Sequence, residues 1–374
     1  MNASTMVDVC VQGSGIVGAS LALSLSRLGL RVDWVQPPAP SVTPPPDVRA
    51  YALNAASVDL LKGIKVWDAL PEDARTPVHD MHIEGDTPGR SLEFSSWEQG
   101  VGALAWIVDA ALLEQRLRDA VGFAAHVRVV PRPSPASLVA HCEGKAANAV
   151  RDALGVRWNR HPYGHSALAA RLVGELPHQG VARQWFRSPD VLALLPFDRP
   201  EPGRSWALVW SGTAQATQAL SELAQPAFEQ RLAQATAGAV GGLRLSGERV
   251  QWPLMLARAD RWCGPGWVLL GDAAHVVHPL AGQGLNLGLA DVAELTRTLA
   301  AREAWRPLGD ARLLRRYERA RALPTLAMGR LTDGLLHLFA APANPFGPIR
   351  NGGLDLINRS GMAKRWLAAR ALDS

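Results

Sequence analysis

Cysteine is scarce in this chain, and Cys10, Cys142 and Cys263 are odd in number, widely spread and in no metal-ligand spacing. That excludes a disulfide scaffold and a thiolate zinc site, and free thiols in a reducing cytoplasm fit best. Long apolar runs are missing as well, since none approaches the ~20 residues needed to span a bilayer. No basic stretch followed by an apolar one opens the chain, so a signal peptide is not expected. Lysine is nearly absent (Lys62, Lys65, Lys145 and Lys364), and the modest net charge of +5 rests almost wholly on arginine. No basic segment is interleaved with aromatics, so no nucleic-acid partner is expected. With 48% hydrophobic and 20% charged residues the chain is globular rather than disordered. Its 374 residues exceed one ordinary core and predict two interleaved domains.

Glycine, by contrast, is placed with purpose. Residues 7–12 alternate as a strand and lead into Gly13-Ser14-Gly15-Ile16-Val17-Gly18, then a helical stretch over 19–28 and a second strand over 30–36. This is G-x-G-x-x-G in the strand–turn–helix context that gives the pattern meaning. The glycines permit a tight turn, close approach of a pyrophosphate and close packing of helix on strand. Gly13, Gly15, Ile16, Val17 and Gly18 are therefore candidate dinucleotide contacts. The second strand ends on Gln36, where an acidic residue usually meets the ribose hydroxyls. An amide still donates and accepts, but the charge-assisted bond is lost, which predicts weaker binding.

A second signal lies far downstream. Residues 268–275 read as a short buried strand running to Asp272, followed by a proline-broken loop through Pro279 and Gly282 and a long helix starting near Gly284. Helix-start amides carry partial positive charge and unpaired donors. An anionic group is expected against Gly284, Leu285 and Asn286. His275 and His278, three apart with no third ligand, do not make a metal site, and none is expected.

Both runs together resemble the flavin-contacting motifs of FAD-dependent aromatic hydroxylases, the class A flavoprotein monooxygenases. Within those they are most similar to the ubiquinone-biosynthesis hydroxylases of the octaprenylphenol and methoxyphenol type. The resemblance implies an α/β fold: a Rossmann-like FAD-binding domain (1–78, 105–155 and 254–303) interleaved with a smaller antiparallel-sheet substrate domain (79–104 and 156–253), then C-terminal helices (304–374). It implies that Arg49 reaches the cofactor near its pyrophosphate or ribityl chain and that Asp272 binds a ribityl hydroxyl. Gly282, Gly284, Leu285 and Asn286 would face the flavin, with Gln36 at the ribose. Pro279 and Gly284 would act on flavin electrostatics, and no side-chain base is assigned; Tyr163, His165, His178 and Arg183 fall in the substrate domain and fit surface or core roles better. In the implied reaction NADPH or NADH reduces FAD, the reduced flavin traps oxygen as a C4a-hydroperoxide, and the distal oxygen passes to a phenol.

Two regions depart from that pattern. Over 127–151 relatives carry several short strands and an Asp-Gly pair with a serine and an arginine, whereas this chain is abbreviated and reads Glu143-Gly144, Asn148 and Arg151. This puts nicotinamide use in question. At the end, Arg350-Asn351-Gly352 matches a family turn, and 362–372 forms a basic amphipathic stretch with Lys364, Arg365, Trp366 and Arg370. That stretch either lies on an anionic membrane surface or packs on the protein with its basic face in solvent. The expected function is hydroxylation of a polyprenylated phenol, in the cytoplasm or peripherally on the inner membrane face, with oxygen and quinone-synthesis proteins as partners. A hydroxylase of a soluble aromatic compound and a non-catalytic subunit of a quinone-synthesis complex are the alternatives. Further strands are expected at 79–85, 91–94, 191–197, 205–210 and 249–252, and helices at 55–61, 110–121, 313–322 and 328–339.

Overall fold

The first strand, Val7–Gln12, has Val9, Cys10 and Val11 wholly buried and sits inside a six-stranded sheet. This is a computed structural model that describes residues 6–38, 47–85, 91–144, 148–187, 189–277 and 283–340. The spatial order of the sheet is Cys263–Gly264, Trp267–Leu269, Ala136–His141, Val7–Gln12, Val32–Val35 and Val127–Val130. All pairings are parallel except that between the first two. A parallel sheet covered on both faces needs apolar side chains on both, which accounts for continuous apolar runs such as Trp267–Leu269. The helices Ile16–Arg27 and Gln283–Ala300 pack on it and share one core with it.

A second sheet has eight strands, in the order His275–Val276, Leu243–Ala259, Trp158–Gly174, Ser205–Thr213, Asp190–Phe197, Val181–Arg187, Asp80–Glu84 and Ser91–Ser95. It is antiparallel except where Val181–Arg187 pairs in parallel with Asp80–Glu84. One face buries Leu168, Trp185, Trp206 and Trp210 in a core that includes Leu220 and Phe228 of the helices Ala214–Glu222 and Gln225–Ala235. Ala207 and Phe197 instead pack with Val78, Ile107 and Leu104, next to a three-stranded sheet of Ala50–Leu53, Ala105–Asp109 and Arg75–Val78.

Arg171 joins these layers. Its buried guanidinium donates to the Arg49 carbonyl at 2.7 Å, lies 3.5 Å from the Asp109 carboxylate and stacks 3.8 Å over the Phe197 ring. Asp109 also caps the helix Ala110–Gly122 by accepting from the Leu112 amide at 3.0 Å. Burial pulls the Arg171 pKa down to about 10, against the pull of Asp109 and Asp47 in the other direction.

The abbreviated segment resolves into the outer strand Val127–Val130, five connecting residues with Pro131, Pro133 and Pro135, and the inner strand Ala136–His141. Buried Asp33 anchors it, holding Arg128 through two bonds of 2.9 and 2.7 Å and accepting from the Ser134 hydroxyl. The expected helices at 313–322 and 328–339 are one helix, Ala311–Ala340, continuing through Pro324. Proline removes one backbone donor there without ending the helix. The expected Arg350 turn and the basic stretch 362–372 lie outside the described residues.

Candidate functional site

Three loops leave the carboxyl ends of three adjacent parallel strands: Gly13 follows Val7–Gln12, Cys142–Gly144 follows Ala136–His141, and Gly271 follows Trp267–Leu269 by one residue. Ligands of open α/β sheets bind in the crevice outside such ends. The last loop is a tight 3-10 turn, Gly271–Ala273, after which His275–Val276 joins the eight-stranded sheet. Asp272 thus sits at the seam between the two sheets.

Backbone contacts draw the loops together. A Cβ on Gly13 (φ +120°) would overlap the Cys142 carbonyl, and one on Gly18 would overlap the carbonyl of Gly13. The Trp34 indole donates to that same Gly13 oxygen at 3.0 Å. A Cβ on Gly288 would meet Val17 at 2.8 Å, and one on Gly271 (φ +57°) would meet Val17 at 3.3 Å. The two sequence-distant glycine motifs are therefore in contact. Ile16 is buried and Val17 packs on Gly271 and Gly288, so any role of this pair toward a ligand falls to the backbone.

Gly15 is different. Its φ of −82° suits any residue, and a Cβ there would meet nothing within 4 Å. It precedes the twelve-residue helix Ile16–Arg27, which has no side-chain cap and no acidic residue in its first turn. Open space at an uncapped helix start is what a phosphate group would fill. Gly284, in the first turn of the helix Gln283–Ala300, likewise has nothing within 4 Å of a Cβ among the described residues.

Glu143, where the resemblance implies an aspartate, places one carboxylate oxygen 3.2 Å from His141 Nδ1. Its other oxygen is buried with no hydrogen-bond partner among the described residues. Neighbouring Gly144 lies against Asp272, 3.9 Å from a Cβ on the glycine to the aspartate Cβ. Arg151 donates to the Ala273 carbonyl at 3.1 Å and to Asn148 at 2.7 Å while stacking 4.0 Å over Trp158. Burial lowers its pKa, and Arg160 adds to the effect. The departing residues thus gather on the Asp272 turn.

The other sequence candidates divide. Arg49 donates twice to Asp47 at 2.8 and 2.7 Å, and that bond raises its pKa, so an anion would share the guanidinium with a carboxylate. Gln36 is half-buried just past the strand Val32–Val35, its amide N–H bonded to Val130 O at 2.9 Å. The Asn286 side chain turns into the protein. Its oxygen accepts from the Asn54 amide at 3.0 Å and the Ser57 hydroxyl at 2.7 Å, and its nitrogen donates to Ala52 O at 2.8 Å. Leu285 is half-buried beside the main core. Pro279, Gly282 and His278 lie outside the described residues, as does the side chain of Tyr163. His178 has both ring nitrogens engaged, with Asp198 at 3.2 Å and the Gly180 amide at 3.0 Å, in a structural role. His165 and Arg183 lie on the strands Trp158–Gly174 and Val181–Arg187.

Sequence reading missed Asp291 and Arg321. The signal was present: Asp291 falls between Leu287 and Leu295 at i, i+4, i+8 on a buried helix face, where a carboxylate needs partners. It finds them in His275 Nε2 and Arg321 Nε, both at 2.7 Å.

A family described as FAD binding domain matches residues 6–131 and 135–329. Ubiquinone hydroxylase UbiL of Rhodospirillum rubrum is 29% identical over 396 residues, covering 99% of this chain and 90% of its own. The 3-demethoxyubiquinol 3-hydroxylase of Escherichia coli is 30% identical over 398 residues, covering 98% of each. Among solved structures, PqsL of Pseudomonas aeruginosa, described as a probable FAD-dependent monooxygenase, has a TM-score of 0.74 at 21% identity, over 94% of this chain and all of its own. The p-nitrophenol 4-monooxygenase PnpA of Pseudomonas putida has a TM-score of 0.76 at 16% identity, over 98% of each chain. These two structures share the fold.

Proposed function

This chain belongs to the FAD-binding-domain family of flavoprotein monooxygenases, and from that premise we propose that it hydroxylates a polyprenylated phenol in ubiquinone biosynthesis, with NADPH or NADH as reductant. The observation that carries the cofactor assignment is the open cradle at Gly15 beside a turn whose other glycines are fixed by packing. The buried oxygen of Glu143 in the neighbouring loop, without a partner among the described residues, fits a hydroxyl-bearing ligand. Gly13, Gly15 and Gly18 would hold the pyrophosphate, Gln36 the ribose, and Arg49 and Asp272 the stretch between phosphates and flavin. When bound, FAD would carry reducing equivalents from the nicotinamide and supply oxygen activation that no amino-acid side chain provides.

The protein's own contribution is orientation and charge. First-turn amides of Gly284, Leu285 and Asn286 lack intrahelical acceptors, and their fixed dipoles favour negative charge without reorganising. The phenol assignment follows the two named relatives, both ubiquinone-pathway hydroxylases matched over nearly their whole length. No helix among the described residues is long and apolar enough to cross a membrane. Access to a prenylated substrate in this reading is by surface contact from the cytoplasmic side, with the quinone-synthesis machinery as partner.

The test is direct. Purified protein is expected to be yellow and to release FAD on denaturation; anaerobic NADPH should bleach it, and admission of oxygen with a prenylated phenol should yield hydroxylated product. Protein that stays colourless in excess FAD would sink the reading, and reduction with product only from soluble aromatics would redirect it to the alternative substrate class. Gln36→Glu restores a charge-assisted bond worth roughly 1.5–3 kcal/mol. FAD affinity should therefore rise about tenfold or more, measured by fluorescence titration; an unchanged Kd would remove Gln36 from the site.

A further inference from the structure

Asp291 is completely buried, and the three polar groups bonded to it come from three different segments. Its Oδ2 accepts from the Gly271 amide at 3.0 Å and lies 2.7 Å from His275 Nε2. Its Oδ1 accepts from Arg321 Nε at 2.7 Å, and Arg321 Nη2 donates to the Leu287 carbonyl at 3.2 Å. One carboxylate oxygen therefore grips the residue before Asp272 and a residue just after it. The other oxygen grips the helix Ala311–Ala340. Around this cluster the Trp262 ring lies 4.9 Å from that of His275, and the buried Tyr317 hydroxyl donates to Leu269 O at 3.0 Å.

We propose that Asp291 is a positioning residue of the cofactor site, holding the Gly271–Ala273 turn in the conformation that presents Asp272 and making the helix Ala311–Ala340 part of that hold. The proposal rests on the reading that FAD lies beside Asp272. Gly271 is in the left-handed region, from which an unanchored glycine departs freely. A carboxylate has lone pairs enough for three donors at once, and an amide does not. In Asp291→Asn the NH2 group faces either Gly271 and His275 or Arg321, and one set of bonds is lost whichever way it turns. Burial works against ionisation of Asp291, but His275 and Arg321 more than offset it and keep the carboxyl below its ordinary range.

FAD titration of folded apoprotein tests this. Loss of a charge-assisted anchor should raise the FAD Kd roughly 10- to 100-fold in Asp291→Asn. Adding Arg321→Gln gives the new NH2 a carbonyl acceptor and frees the amide oxygen for Gly271 and His275, so the double variant should recover most of that affinity. A purely structural role predicts a lower apoprotein melting temperature with the wild-type Kd in whatever folds, and that result would overturn the proposal. Should Asp291→Asn not fold, hydrogen exchange on the wild type decides: the Gly271 amide should already be protected without FAD. Protection that arises only on FAD addition would refute Asp291 as its anchor. Wild-type protein that binds no FAD would remove the underlying site reading and this proposal with it, an outcome distinct from either.

Discussion

Gly284→Val folds, keeps its FAD and loses roughly 10²–10³-fold in the rate of NADPH-driven flavin reduction, the usual effect of removing a preorganised donor. Folding should survive because, among the described residues, a Cβ at this position meets nothing within 4 Å. The helical cost of valine over an ordinary residue is below about 1 kcal/mol. Reduction fails because a β-branched side chain then stands where the first-turn amides should meet the anionic edge of the reduced ring. Stopped-flow reduction under anaerobic conditions measures the rate, and restoration of quinone synthesis in a deficient host measures the consequence. A non-catalytic subunit would restore synthesis with a silent flavin. That outcome would overturn the enzyme reading; loss of both supports it.

The second large effect separates glycines that look alike in sequence. Gly18→Val is expected to yield little folded protein, since its side chain would overlap the Gly13 carbonyl and overpacking of this kind costs about 3 kcal/mol or more. Gly15→Val should fold with a wild-type melting temperature in the absence of FAD, because its backbone is unstrained and its surroundings are open. It should nonetheless bind FAD at least about 100-fold more weakly, a branched side chain occupying the pyrophosphate approach. Circular dichroism with FAD titration distinguishes the two. A stable Gly15→Val that binds FAD normally would remove the Ile16–Arg27 helix start from the cofactor site.

The glycine motifs were legible because backbone sterics leave few alternatives: a strand, three spaced glycines and a helix admit one geometry. That Gly13 and Gly18 are also fixed by packing while Gly15 faces open space was not legible, since it depends on the carbonyls of Cys142 and Gly13 lying against them. The strand Trp158–Gly174 went unread for another reason. Its buried half, 166–173, is a continuous mix of apolar residues with Ser166 and Arg171, and periodicity cannot separate such a run from a helix. Within that run Arg171 is the bond between the eight-stranded sheet and the Arg49 segment. Asp291 could be flagged by its place on a buried helix face, but its donors were hidden because Gly271, His275 and Arg321 come from three separate stretches.

The abbreviated segment after residue 126 has a bearing on how the protein behaves at high concentration. Its strand Val127–Val130 is the outermost of the parallel sheet among the described residues, and Val129 is half exposed there. An uncovered outer strand is a template on which a second chain can add, the usual start of ordered self-association. Here Pro131, Pro133 and Pro135 follow at once, each lacking the amide hydrogen that strand addition needs, and Arg128 puts a charge in the middle of the edge. The short connection therefore also guards the edge against self-association, and replacing its prolines is expected to raise ordered aggregation, measured by light scattering at high concentration.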